Sequence, residues 1–288
     1  MRPVLFILPL PLVGPIAIKS YGVMLVLGFM CALFLAVRRA RKEGINPDIV
    51  WDIWMYALLG GIIGSRAMYL FENYQSFSGR WLDIFKIWEG GLSFYGGFTL
   101  ATISISIMLR IRRIRVLKMF DIIAVGLILG MAFGKVGCFM NGCCFGRPTD
   151  GPIAVTYPAG SPIDGYGHMR PSYAYQWHLD AGLISSEASR SLPVHPVQLY
   201  ESVNALVIFA ILMLFYPHRR RYGEVTCLLG TLYPATRFIL EFFRQKQAEY
   251  VFGLTPAQTY SLIAFVVFAT LFVISRRSQP TVVPRDEG

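Results

Sequence analysis

The sequence predicts an all-α, polytopic integral membrane protein with seven transmembrane helices and a small outer-facing cap loop. Three observations predict it. Of 288 residues, 55% are hydrophobic and only 15% charged, and the mean hydropathy is +0.50, a balance ordinary for membrane proteins and high for soluble domains. Apolar runs recur, each close to the roughly 20 residues that a bilayer core requires. Basic residues come in bursts on alternate loops between those runs, the pattern of cytoplasmic membrane loops. A formal charge of +10 on one soluble face would suggest nucleic acid; distributed in this way it does not, and no nucleic-acid partner is predicted.

The elements follow in order. Residues 1–20 are apolar but broken by Pro3, Pro9, Pro11 and Pro15. With no clear small-residue cleavage site they read as a retained arm, not a signal peptide. The spans fall near 21–37, 53–71, 91–109, 120–139, 198–216, 224–243 and 257–275. Arg38, Arg39, Arg41 and Lys42 follow span one; Arg110, Arg112, Arg113, Arg115 and Lys118 follow span three. Arg219, Arg220 and Arg221 follow span five; Arg276, Arg277 and Arg285 follow span seven. These are 15 of the 27 Lys and Arg residues. The positive-inside rule places those loops and the C-terminus in the cytoplasm, and the N-terminus outside. Residues 1–288 then form a single membrane domain. The outer loop 147–197, inserted between helices four and five, has the Pro/Gly/Ser content of a ligand-covering cap with little core.

With topology set, the unusual residues segregate by depth. Tyr21 opens span one and Arg66 lies in the outer third of span two. Gly90 to Gly97, with Tyr95, opens span three. Lys135, Asn141 and Gly146 lie in the segment from Gly134 to Arg147 that closes span four. His195, Gln198, Tyr200 and Glu201 open span five. Read as a helix, Tyr233, Arg237, Glu241 and Arg244 are spaced 4, 4 and 3 apart and share one face. Ionisable groups at membrane depth are costly and usually mark function. An excess of Arg and Lys over acids implies an anionic ligand, and guanidinium groups bind phosphate bidentately. A phospholipid headgroup is therefore the predicted ligand, with Asn141, Tyr21, Tyr233 and N–H groups of the glycine-rich turn taking its remaining oxygens. The structural alternatives are an Arg237–Glu241 pair that neutralises itself, and close helix packing at Gly90, Gly91, Gly96 and Gly97. Gly60, Gly61 and Gly64 are read as packing alone. Cys138, Cys143 and Cys144 lack CxxC spacing and paired histidines, so no metal and no cofactor are predicted. They read as structural thiols, with a disulfide open in an oxidising compartment.

Five ordered motifs make the chain resemble the prolipoprotein diacylglyceryl transferase family. They are Gly14 to Gly22, Gly91 to Gly97, Gly134 to Thr149, His195 to Glu201 and Arg237 to Arg244. The resemblance implies seven helices in the inner membrane of a bacterium. It implies transfer of a diacylglyceryl group from phosphatidylglycerol to the lipobox cysteine of a prolipoprotein signal peptide, among membrane lipids and without metal. Lys135 stands where the family usually has arginine, Cys138 where it has asparagine, Cys143 where it has glutamate, and Tyr95 where many members have histidine. The implied catalytic groups are Arg237, Glu241, Lys135 and Tyr95. The implied substrate-binding groups are Lys135, Tyr21, Arg66, Asn141, Gly146, His195, Gln198, Tyr233 and Arg244. A paralogue that binds anionic phospholipid without catalysis, an anionic-solute transporter and a thiol redox protein are the competing classes.

Overall fold

The computed structural model describes residues 3–10, 14–74, 91, 93–162, 169–245 and 253–278. Gly90, Arg285 and the middle of the 147–197 loop lie outside the described residues. Helices dominate. They are α1 (Ser20–Lys42), α2 (Asp48–Glu72), α3 (Phe94–Ile111), α4 (Val116–Asn141), the short α5 (Tyr173–Asp180), α6 (Val197–Phe215), α7 (Glu224–Leu240) and α8 (Pro256–Arg277). Five of them, α1, α2, α4, α6 and α8, are long and apolar enough to cross a membrane. The chain is thus a multi-pass membrane protein. The basic cluster after span one is part of α1, with Arg39, Arg41 and Lys42 in its last turn, where cations complement the carbonyl end of the helix dipole.

The arm before α1 is an antiparallel hairpin, a feature the prolines had hidden. Strands β1 (Val4–Leu10) and β2 (Gly14–Lys19) pair Val4 with Lys19 and Leu10 with Gly14, and Pro9 lies opposite Pro15. In a two-stranded ribbon every strand is an edge, where a residue without an N–H is tolerated. The Ser20 amide donates to the Pro3 carbonyl at 2.9 Å and ties the hairpin to α1.

The chain divides into two compact units, residues 1–35 with 123–288, and residues 36–122. In the larger unit, Ala124, Val125, Ile128 and Ala132 of α4 pack on Ala205, Ile208 and Leu212 of α6 and Val225 of α7. Ser202 Oγ donates to the Ala132 carbonyl at 3.0 Å, and Asn204 bonds Thr236 at 2.9 Å, so α6 is pinned to both neighbours. The 147–197 loop carries α5, a two-residue ladder of β3 (Ser161–Pro162) with β4 (Met169–Arg170), and a small core of Tyr157, Ala174 and Val194 against Phe145.

In the smaller unit α2 packs on α3 through glycines. A Cβ at Gly60 would meet Ala101 and Ser104, one at Gly64 would meet Gly96 and Leu100, and one at Gly97 would meet Ser65. Small residues let backbones approach in this way. Gly61 differs from expectation: a Cβ there meets nothing, and only its carbonyl lies against Gly97. Two basic residues of this unit meet carboxylates, Arg112 with Asp52 at 2.8 Å and Lys118 with Glu43 at 3.4 Å.

Candidate functional site

Four ionised side chains of the larger unit form one continuous chain at a common end of its helices. Lys135 comes from the last turns of α4, Glu201 from the first turns of α6 and Arg237 from the last turn of α7. Glu241 opens a 3-10 turn (Glu241–Phe243) that follows α7. Lys135 Nζ is ion-paired with Glu201. Arg237 Nη1 lies 3.6 Å from the other Glu201 oxygen and 2.5 Å from Glu241. Thr255 Oγ1 donates to Glu241 at 3.3 Å while accepting the Gln258 amide as the N-cap of α8. The side chains of Glu201, Arg237 and Lys135 are only 5%, 13% and 21% exposed. Charges so placed are stable only with partners that match them.

Within this cluster the cations and acids are equal in number, and Arg244 and Arg66 are additional positive charges. Lys135 and Arg237 share Glu201, and Glu241 balances the second positive charge. Tyr233, one turn before Arg237, lies within the field of Lys135, Glu201, Arg237 and Arg244. Arg244 is not on a helical stripe. α7 ends at Leu240, and Arg244 is extended, paired with Gly146 in an isolated antiparallel bridge. The Arg147 amide donates to the Phe243 carbonyl at 2.9 Å, and Gln245 donates to Phe145 at 3.3 Å. The loop after α4, and not helical periodicity, therefore positions Arg244.

Three N–H groups of the glycine-rich turn are taken up within the protein. Gly142 donates to Phe139, Cys143 to Cys138 and Gly146 to His195. Gly146 is glycine for packing: a Cβ there would meet the backbone and side chain of His195 and Val197. Gln198 is fully buried and staples the loop, donating to the Cys143 carbonyl at 2.7 Å and to Tyr157 at 2.9 Å. Burial raises the Tyr157 phenol above its ordinary range, against the opposing pull of Gln198. His195 Nδ1 is 3.2 Å from the Tyr200 hydroxyl, and its ring meets Phe243 edge-on at 5.3 Å. Gly146, Gln198 and His195 thus fix the loop after α4 against the start of α6. Tyr21 packs on Gly137 and, with Asn141, Lys19, Tyr157 and Arg170, lines a cleft of ≈270 Å³.

Two predicted residues belong to the smaller unit. Arg66 is buried, donates to the Gly91 carbonyl at 3.2 Å and lies 5.7 Å from the Tyr69 ring centroid. Gly91 has φ +71 and no room for a Cβ beside Tyr69 and Arg66, so glycine is required there. Tyr95 is 53% exposed on an apolar groove of ≈420 Å³ between α2 and α3, with Met68, Phe71, Leu100 and Ile103.

Sequence reasoning quoted Glu201 within a motif but gave it no role, and it missed Thr255. The available signal was physical: a lysine and an arginine at membrane depth require a counter-ion, and Glu201 is the acid at the opening of span five.

A helical multi-pass membrane protein with a buried, charge-balanced cluster joining three of its helices defines the class. Residues 9–274 match the prolipoprotein diacylglyceryl transferase family. The chain is 31% identical over 277 residues to the phosphatidylglycerol–prolipoprotein diacylglyceryl transferase of Burkholderia thailandensis, covering 92% of this chain and 93% of that one. It is 35% identical over 262 residues to the protein of the same name from Paraburkholderia phymatum, covering 86% of each. The chain belongs to the prolipoprotein diacylglyceryl transferase family.

Proposed function

We propose that this protein is a transferase that moves a diacylglyceryl group from phosphatidylglycerol to the lipobox cysteine of a prolipoprotein. The observation that carries the reading is the buried chain Lys135–Glu201–Arg237–Glu241 in a member of this family. In the reaction a thiolate attacks a glycerol CH2 of the lipid. The C–S bond forms, the C–O bond to phosphate breaks, and glycerol phosphate leaves with the new negative charge. Arg237 and Lys135 are the groups placed to stabilise that charge. Glu201 and Glu241 hold both cations in position before the lipid arrives, and preorganisation of this kind lowers a barrier because no dipole must turn during the reaction. Tyr233, Arg244, Tyr21 and Asn141 form the rim, and holding two lipid-anchored substrates together contributes through proximity. The thiol proton goes to the departing phosphate or to a carboxylate of the cluster, Glu201 or Glu241.

The membrane arrangement that suits this reading has seven spans, adding α3 and α7 to the five long apolar helices. The protein then lies in a bacterial inner membrane, N-terminus outside and C-terminus cytoplasmic, as one domain with loop 147–197 capping the site. Purified protein incubated with phosphatidylglycerol and a lipobox peptide is expected to yield the thioether-linked lipopeptide. A second reading rests on the complete pairing of both cations: a phospholipid binder without turnover. Retained phosphatidylglycerol binding with no thioether product would establish that reading instead.

A further inference from the structure

The three outer cysteines carry an inference that their spacing had concealed. α4 ends in a Schellman motif. Gly142, at φ +74, donates to Phe139, and Cys143 donates to the Cys138 carbonyl. This closure sets the residue after the glycine against the residue five positions before it, normally as an apolar contact. Here those residues are Cys143 and Cys138, so a C-x-x-x-G-C sequence achieves what a CxxC loop achieves elsewhere. Cys144 then takes φ +59, a left-handed conformation uncommon for a side-chain-bearing residue, and its sulfur turns back to the other two. All three Sγ atoms lie within 4.8 Å of one another, half-buried, and no histidine or carboxylate joins them among the described residues.

We propose that Cys138, Cys143 and Cys144 form a trigonal thiolate site for a soft monovalent cation of the Cu(I) class. Thiolates select soft ions. Metal–sulfur bonds of about 2.3 Å in a trigonal plane put the sulfurs about 4 Å apart, so small side-chain rotations close the set. Zinc is disfavoured because its structural sites use four protein ligands. The complex is anionic, and the charges of Arg244 and Lys135 reach Cys144. Binding exchanges thiol protons for the ion, with up to three protons released to solvent. The ion enters already as Cu(I), so no electron is transferred.

The test uses full-length protein in detergent, reduced and anaerobic, titrated with Cu(I) against the chromogenic chelator bicinchoninate. One equivalent is expected per chain. Peptide mapping after iodoacetamide should show protection of Cys138, Cys143 and Cys144 but not of Cys31 or Cys227. C138S/C143S/C144S should lose the equivalent and C31S/C227S should keep it. If the triple variant fails to fold, the protection map of the unaltered protein decides. The proposal is overturned if the triple variant binds as well, if Cys31 or Cys227 is protected instead, if two of the three sulfurs resist reduction as a disulfide, or if Zn(II) binds in preference to Cu(I).

Discussion

Buried carboxylates stand at both ends of the α6–α8 bundle, and they are held in different ways. Glu224 opens α7 and is fully buried. Its Oε2 accepts the Arg220 backbone amide at 2.8 Å and Arg276 Nη1 at 3.4 Å. A backbone donor is fixed by the fold, so this carboxylate is a staple for the turn between α6 and α7. Glu201, at the other end, meets side-chain cations from two other helices and no backbone donor among the described residues. Side-chain cations can exchange partners when a phosphate arrives; a backbone amide locked in a turn cannot. The difference separates a joint from a site, although both look like buried acids among arginines.

The sharpest way to break this contrast is Glu201→Ala. It leaves Lys135 and Arg237 largely buried without their shared counter-ion, which typically costs about 3–5 kcal/mol. A markedly lower melting temperature in detergent and loss of thioether formation are expected together. Unchanged melting would mean that the two cations already have solvent or lipid for company. Next in size is Arg237→Lys, which keeps the charge beside Glu201 and Glu241 but loses the planar fork that binds phosphate bidentately. Turnover is expected to fall about 10²–10³-fold, as for loss of one transition-state donor, with melting nearly preserved. Wild-type turnover would remove Arg237 from the phosphate clamp.

The long helices were legible because hydropathy and charge bursts depend on local sequence, and α1–α4 and α6–α8 overlap the predicted runs, whereas the short α5 lies in the loop where no helix was expected. The site was legible as an inventory but not as a circuit. Lys135 and Glu201 are far apart in sequence and meet only because Ala132 and Ser202 bring α4 and α6 together. The stripe from Tyr233 was right as far as Arg237 and Glu241; helical periodicity then failed at Arg244, because strand-like pairing to Gly146 ends the helix first. The proximity of the cysteines depended on a left-handed turn at Gly142, a backbone state that spacing rules do not contain.

Glu224→Gln tests the other side of the contrast. The amide keeps an acceptor for the Arg220 N–H and loses the charge facing Arg276. A cost of about 1–3 kcal/mol is expected, read as a lower melting temperature with the transfer rate unchanged. A parallel fall in turnover would mean that the two ends of the bundle are coupled.

The smallest effect is expected from Tyr95→Phe, and it sharpens the contrast by asking whether the smaller unit does chemistry at all. The family resemblance made Tyr95 a catalytic group. Its surroundings are an apolar groove of Met68, Phe71, Leu100 and Ile103, more than half open, unlike the closed field of paired charges around Arg237. Removing the hydroxyl there should cost no more than one hydrogen bond, about 1 kcal/mol, so turnover within a few-fold of wild type is expected. A fall of a hundredfold at unchanged melting would restore Tyr95 as a proton-transfer group.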